Sequence, residues 1–271
     1  MLQIDNYKKK SNNNYNNYNN YTNKIKIYKK MMYNMPYTFF KNFYNPVIPL
    51  KIYQTWYTKD LPVKMKQRVE LLKYQNPKFE HHLFDDDDCR EFIKTHFKND
   101  VLNAFDTLIP GAYKADLWRL CILYINGGIY MDIKFSCVNG FKLIELVEKE
   151  HFVLDRLPPL SIYNALMVCK AGNPFLLNAI HTIVQNVKNK YYGSCALSPT
   201  GPIMLGNLII KRKPRLNIDL THFIDGGYII YKNRFIISTT YNEYENDRNK
   251  TYNKINTQRY DKLWSSRKIY K

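Results

Sequence analysis

Three charged side chains lie within seventeen residues of one another in surroundings that are otherwise apolar. Asp132 sits in IYMDIKF (129–135), with apolar residues on both sides of it. A carboxylate buried in such a run costs several kcal/mol unless it is paired or meets a cation, so Asp132 needs a reason to be there. Asp116 and Arg119 stand three apart in GAYKADLWRLCILYIN (111–126), a spacing that puts both on one face of a helix. Lys134 follows Asp132 by two residues, and strand alternation would place the two on the same face.

The elements that must position these groups are legible. Residues 111–126 carry Leu117, Leu120, Cys121 and Tyr124 on one helical stripe, and Gly127-Gly128 stands where a helix ends. That turn folds the helix back onto a strand over 129–135 whose Asp lies near its end. Upstream, KIYQTWY (51–57) reads as a strand, VKMKQRVELLKYQ (63–75) as a helix and KFEHHLF (78–84) as a strand. The run DDDDCREFIKTHF (85–97) reads as a helix capped by its own aspartates, a reading preferred to a metal-binding tetrad because consecutive residues point in different directions. Downstream come a strand over 163–169, a helix over 174–189 and a hairpin over 227–239 that turns at Lys232-Asn233. Strands alternating with helices imply an α/β sheet.

In such sheets ligands bind at the carboxyl ends of strands. Carboxylates for hydroxyls and cations for a diphosphate would suit a nucleotide sugar there. The same three residues equally suit an internal ion-pair network that binds nothing.

The formal net charge is +18 over 271 residues, which on its face suggests a nucleic-acid binder. Its distribution argues otherwise. Residues 1–45 carry eight Lys against one Asp and residues 211–271 carry fourteen Lys and Arg against six acids, whereas residues 46–210 carry nineteen against sixteen. The central region is nearly neutral. SNNNYNNYNNYTNK (11–24) is low-complexity, so residues 1–45 are expected to form a disordered basic arm beside one folded domain over 46–271. Such an arm offers at most weak, salt-sensitive contact with nucleic acid or an anionic membrane. No apolar run approaches the roughly 18 residues of a transmembrane helix. Five scattered cysteines with no CxxC pair point to a reducing compartment, and the cytoplasm is expected.

The string ADLWRLCILYINGGIYMDIKF (115–135) resembles the signature of glycosyltransferase family 32, a DLxR helix, a GG turn and a DxD strand; it is also similar to the glucosylating domain of the large clostridial toxins. IPLKIYQTW (48–56), NPKFEHHLFDD (76–86), SPTGP (198–202) and LWSSRKIY (263–270) extend the resemblance in order along the chain. It implies a GT-A fold, a Rossmann-like sheet flanked by helices, and transfer of a hexose with retention from a UDP- or GDP-sugar to a glycan or protein acceptor. It further implies that Asp116 and Arg119 bond donor-sugar hydroxyls and that Asp132 contacts ribose or sugar and helps place a divalent cation, Mn²⁺ or Mg²⁺. Trp56 would stack near the base with Gln54 beside it, and Gly127 and Gly128 would shape the donor site. Thr200, Gly201 and Pro202 would form a loop on the acceptor side, and Trp264 would close over the donor. The chain departs from the pattern at Asp132-Ile133-Lys134, where Lys134 replaces the second acid of DxD. Its ammonium is expected either to pair with Asp132 or to neutralise the diphosphate, with Asp261 a further candidate for a loosely held metal. A homologue that binds a nucleotide sugar or glycan without turnover is the alternative.

Overall fold

The computed structural model describes residues 41, 43–155, 160–223 and 226–271, and Phe40–Lys271 form one compact unit. The arm expected over residues 1–45 lies almost wholly outside the described residues.

Strands β1 (Lys51–Thr55), β2 (Glu80–Phe84) and β3 (Gly128–Met131) run parallel, with β1 in the middle. Parallel neighbours need long crossovers. Helix α1 (Val63–Gln75) joins β1 to β2, and α2 (Asp86–His96), α3 (Asn99–Thr107) and α4 (Gly111–Asn126) join β2 to β3. Beyond β3 the sheet becomes mixed. It continues through β6 (Ser161–Cys169), β5 (His151–Asp155), β7 (Leu220–Phe223), β8 (Tyr228–Tyr231), β9 (Arg234–Ser238) and β4 (Ser136–Cys137), nine strands among the described residues. Helices α5 (Pro174–Lys188), α6 (Pro202–Arg212), α7 (Tyr244–Lys254) and α8 (Tyr260–Ser265) complete it.

Helix α4 is the spine of the core. Nine of its residues between Tyr113 and Leu123 are buried, and of these only Asp116 and Arg119 are charged. Trp118, Leu117 and Leu120 are wholly excluded from solvent, each contributing on the order of 1.5–3 kcal/mol by burial. The helix stops at Gly127, where φ is 62°, and Gly128 follows with φ 115°. A Cβ at Gly128 would lie 2.8 Å from the carbonyl oxygen of Lys51 and one at Gly127 would lie 2.7 Å from the amide of Ala171, so both positions need glycine for conformation and for space. Their work is to set β3 against β1.

The aspartate run caps α2 as its sequence suggests. Asp85 accepts from the Asp88 amide at 2.9 Å, and the Asp88 carboxylate accepts from the Asp85 amide at 3.1 Å. The strand expected over 129–135 is shorter than its apolar pattern: β3 ends at Met131, and residues 132–135 turn, closed by the Phe135 amide donating to the Asp132 carbonyl at 3.0 Å. The reason is topological. Ser136 pairs with Ser238 of β9, so the sheet curls and the chain must leave β3 after four strand residues to reach its far edge. Asp132 and Lys134 therefore meet across a turn and not along one strand face. The strand expected over 51–57 likewise ends at Thr55, leaving Trp56 beyond it.

Candidate functional site at the end of strand three

Asp132 emerges where β3 stops. Its amide makes the last bond to β6, donating to the Ala165 carbonyl at 2.9 Å. Its carbonyl is held by the side chain of Gln54, whose Nε2 donates at 3.2 Å, and Gln54 is itself oriented by His81 Nε2 at 2.8 Å from its Oε1. Burial pushes the His81 imidazole down to about 4, so the neutral ring donates and the Gln54 amide is left to donate onward. Gln54 is thus wholly buried and acts on Asp132 from behind.

The carboxylate of Asp132 is only loosely satisfied. Tyr130 donates to Oδ1 at 3.0 Å, while Arg119 Nη1 stands 3.7 Å from Oδ1 and Lys134 Nζ 3.5 Å from Oδ2. The side chain remains 24% exposed. Asp116 differs. Its Oδ1 accepts from Asn164 Nδ2 at 2.9 Å and faces Arg119 Nη2 at 3.3 Å, and its Oδ2 accepts from Thr200 Oγ1 at 2.7 Å. Burial pushes the Asp116 carboxyl upward against the opposing pull of Arg119, Thr200 and Asn164. Arg119 is fixed in turn by the Ala115 and Asn164 carbonyls, at 3.0 and 2.8 Å, and lies 4.3 Å above the Tyr130 ring. Burial works against its charge, but Tyr130, Asp116 and Asp132 outweigh burial and hold its pKa above the ordinary value.

The segment SPTGP supports Asp116. Thr200 is buried and bonded to it, a Cβ on Gly201 would lie 3.3 Å from Asp116 Oδ2, and Pro202 opens α6. These residues approach the site from inside the protein.

Asp132 faces a cavity of about 250 Å³. Trp56 and Tyr57 line it together with Arg119, Tyr130 and Lys134 and with Tyr244, Arg248 and Tyr252 of α7. Trp56 is 9% exposed, and its buried indole Nε1 has no hydrogen-bond partner among the described residues. Tyr57 meets Tyr252 edge to face at 5.6 Å. Arg259 and Asp86 also line the space, and burial raises the Asp86 carboxyl to about 6. The α7 contribution was missed in the sequence, although Tyr244, Arg248 and Tyr252 recur every four residues, the spacing of one helical face.

The remaining expected residues lie elsewhere in this conformation. Gln54, Gly127, Gly128, Thr200, Gly201 and Pro202 are not among the residues that line the cavity. Trp264 packs on the core with its indole donating to the Tyr192 carbonyl at 2.8 Å. Asp261 is exposed and bonded by Arg259 Nε at 3.2 Å.

The donor set does not fit a protein-held divalent cation. Asp116 is saturated, Asp132 has an ammonium beside it, and among the described residues no group of three or more His, Cys, Asp and Glu gathers that could hold a metal ion. Lys134 occupies the place of the second acid. Burial disfavours its charge, but Asp132 more than compensates, and its pKa is raised.

A mixed α/β sheet whose parallel half carries an aspartate to an aromatic and cationic cavity at the carboxyl end of a strand has the plan of a GT-A glycosyltransferase. Residues 62–152 are similar to the family described as "Glycosyltransferase sugar-binding region containing DXD motif". The chain is similar to Inositol phosphoceramide mannosyltransferase 3 of Schizosaccharomyces pombe, 31% identical over 159 residues, 58% of this chain and 44% of that protein. It is also similar to Mannosyl phosphorylinositol ceramide synthase SUR1 of Saccharomyces cerevisiae, 29% identical over 173 residues, 64% of this chain and 44% of that protein. The chain thus spans less than half the length of these two relatives. Among solved structures it matches PaToxG Glycosyltransferase at 16% identity and a TM-score of 0.48, over 69% of this chain and 76% of that one. Among the described residues no helix is long and apolar enough to cross a membrane.

Proposed function

We propose that this chain transfers a hexose from a nucleotide-sugar donor to a hydroxyl of a glycan or glycoprotein, with retention, and that the cavity in front of Asp132 receives the donor. The observation that carries this reading is the under-satisfied Asp132 carboxylate, held at the end of β3 in a cavity lined by aromatic and cationic side chains. In the reaction the bond from the anomeric carbon to the phosphate oxygen breaks and its electron pair leaves with the nucleoside diphosphate. The acceptor oxygen bonds that carbon and its proton is released. Trp56 and Tyr57 offer faces for a base, Asp132 accepts from ribose or sugar hydroxyls, and Arg119 adds positive charge fixed by Asp116.

The two fungal relatives are named as an inositol phosphoceramide mannosyltransferase and a mannosyl phosphorylinositol ceramide synthase, which favours mannose as the sugar. The cytoplasmic reading rests on five scattered cysteines, four of them buried. Lys134 in place of an acid specifically favours a second reading, in which the cavity holds the nucleotide sugar without turnover.

A panel of UDP- and GDP-sugars assayed for nucleotide release, with and without Mn²⁺, separates them. Release from one donor at a rate that Asp132→Asn removes supports transfer. Saturable binding with no release supports the second reading, and neither binding nor release rejects both.

A further inference from the structure

Three cationic side chains line this cavity besides Arg119, and they come from separate parts of the chain: Lys134 from the turn after β3, Arg248 from α7 and Arg259 from the start of α8. Lys134 Nζ and the Arg248 guanidinium both lie over the ring of Tyr244, at 4.9 and 5.7 Å from its centre. One aromatic ring of the cavity lining therefore gathers two cations.

Neither cation is fully used. Lys134 has Asp132 at 3.5 Å, longer than a good charge-assisted bond. Among the described residues Arg248, 13% exposed, has no partner for its buried Nε, and its Nη2 reaches Glu245, itself largely exposed, at 3.7 Å and Asn249 at 3.4 Å. A buried guanidinium N–H without an acceptor is costly unless something fills it. Asp86 and Asp132 are the acidic groups lining the same space, and Asp86 already faces Lys114 at 3.8 Å. The residues lining the cavity therefore carry more positive charge than negative, Arg119, Lys134, Arg248 and Arg259 against Asp86 and Asp132.

We propose that Lys134 and Arg248, with Arg259 at the rim, seat the diphosphate of the donor directly, as fixed positive charges in the place where a DXD protein uses a cation, so that this chain binds nucleoside diphosphates without metal. The inference rests on the nucleotide-sugar reading above and names how that site holds its ligand. An anion of two linked phosphates meets both requirements: it supplies acceptors to Lys134 and to Arg248 together, and it neutralises the surplus charge. It also explains why no second acid accompanies Asp132, since a carboxylate at position 134 would repel the phosphates once the metal is dispensed with.

The test is titration of the full chain with UDP and with GDP by calorimetry, first in EDTA and then with MnCl₂. The wild type is expected to bind one of them with a Kd that differs less than about threefold between the two conditions, and Lys134→Ala and Arg248→Ala are each expected to weaken binding in EDTA by about tenfold or more. Lys134→Asp should lose binding in EDTA and regain it with Mn²⁺. Circular dichroism melts accompany each variant, and if one fails to fold the wild-type comparison still decides. Wild-type binding that EDTA abolishes and Mn²⁺ restores would overturn the cationic seat while leaving the nucleotide-sugar reading in place. Unchanged affinity in both alanine variants would overturn it too. No binding of either nucleotide in either condition would overturn the nucleotide-sugar reading together with the seat.

Discussion

Asp116 and Asp132 are two aspartates beside one arginine, and their surroundings are opposite. Around Asp116 every oxygen is answered, by Asn164, Thr200 and Arg119, and solvent barely reaches it. Around Asp132 there is one good hydrogen bond, two cations at longer range and an open cavity. A carboxylate whose bonds are all made inside the protein holds structure, and one left with unused acceptor capacity is available to a ligand. Arg119 belongs to both regions: Asp116 and two carbonyls fix it, and its position toward Asp132 follows.

The comparison breaks first at Asp116. Asp116→Ala removes the nearer carboxylate partner of buried Arg119 and the acceptor of Asn164 and Thr200, and should destabilise the fold by about 3–5 kcal/mol in urea unfolding. Thr200→Val removes a single bond to the same carboxylate and should cost about 1.5–3 kcal/mol. A loss below half a kcal/mol in both would mean that the dry network is not structural.

Asp86 sharpens the comparison through pH, being a carboxyl on the cavity wall that burial raises to about 6. In the window between the unfolded value and the raised folded one, the folded chain binds more protons than the unfolded chain, so stability from this group falls as pH rises through about 6. Asp86→Asn should therefore stabilise the protein above pH 7, by about 1 kcal/mol once the partial exposure of the side chain is allowed for. The gain should shrink as pH falls and vanish near pH 4, at about the unfolded carboxyl value. Melting curves across that range check the sign.

The smallest effect is expected from the basic arm. Deleting residues 1–40 should shift Tm by less than about 2 °C and leave donor use unchanged, because the low-complexity run SNNNYNNYNNYTNK and its Lys-rich flanks lack the apolar periodicity with which to join a core. The cut falls before Lys41 and Asn45, both of which bond Glu148.

Local chemistry was the legible part of this chain. The apolar stripe of α4 and the glycine pair after it place β3 and the end of it that matters, the aspartates after Phe84 form a capping box, and Lys232 and Asn233 take the positive φ angles, 47° and 60°, that a tight hairpin needs. What escaped depends on distant pairing. β4 joins β9 across about a hundred residues of chain, and that pairing is what ends β3 at Met131 and turns Lys134 toward the cavity. Helix α7 escaped for another reason: YENDRNKTYNK buries only Asp247 and Thr251 and so has no apolar stripe to announce it. Its tyrosines and arginine line the cavity, where Tyr244 also packs on the small cluster of Trp56, Met65, Val69 and Ile133. Trp264 and Gln54 read as donor contacts by resemblance, and each is held by a hydrogen bond inside the protein in this conformation.

The most direct test of the division between the two aspartates is Asp132→Asn, with kcat/KM for the preferred donor and the urea unfolding free energy measured on the same preparation. The account predicts a loss of about 100- to 1000-fold in kcat/KM, with unfolding free energy moved by no more than about 1 kcal/mol because few native bonds depend on that charge. Near-full turnover in Asp132→Asn, or a collapse of stability comparable to that of Asp116→Ala, would contradict it.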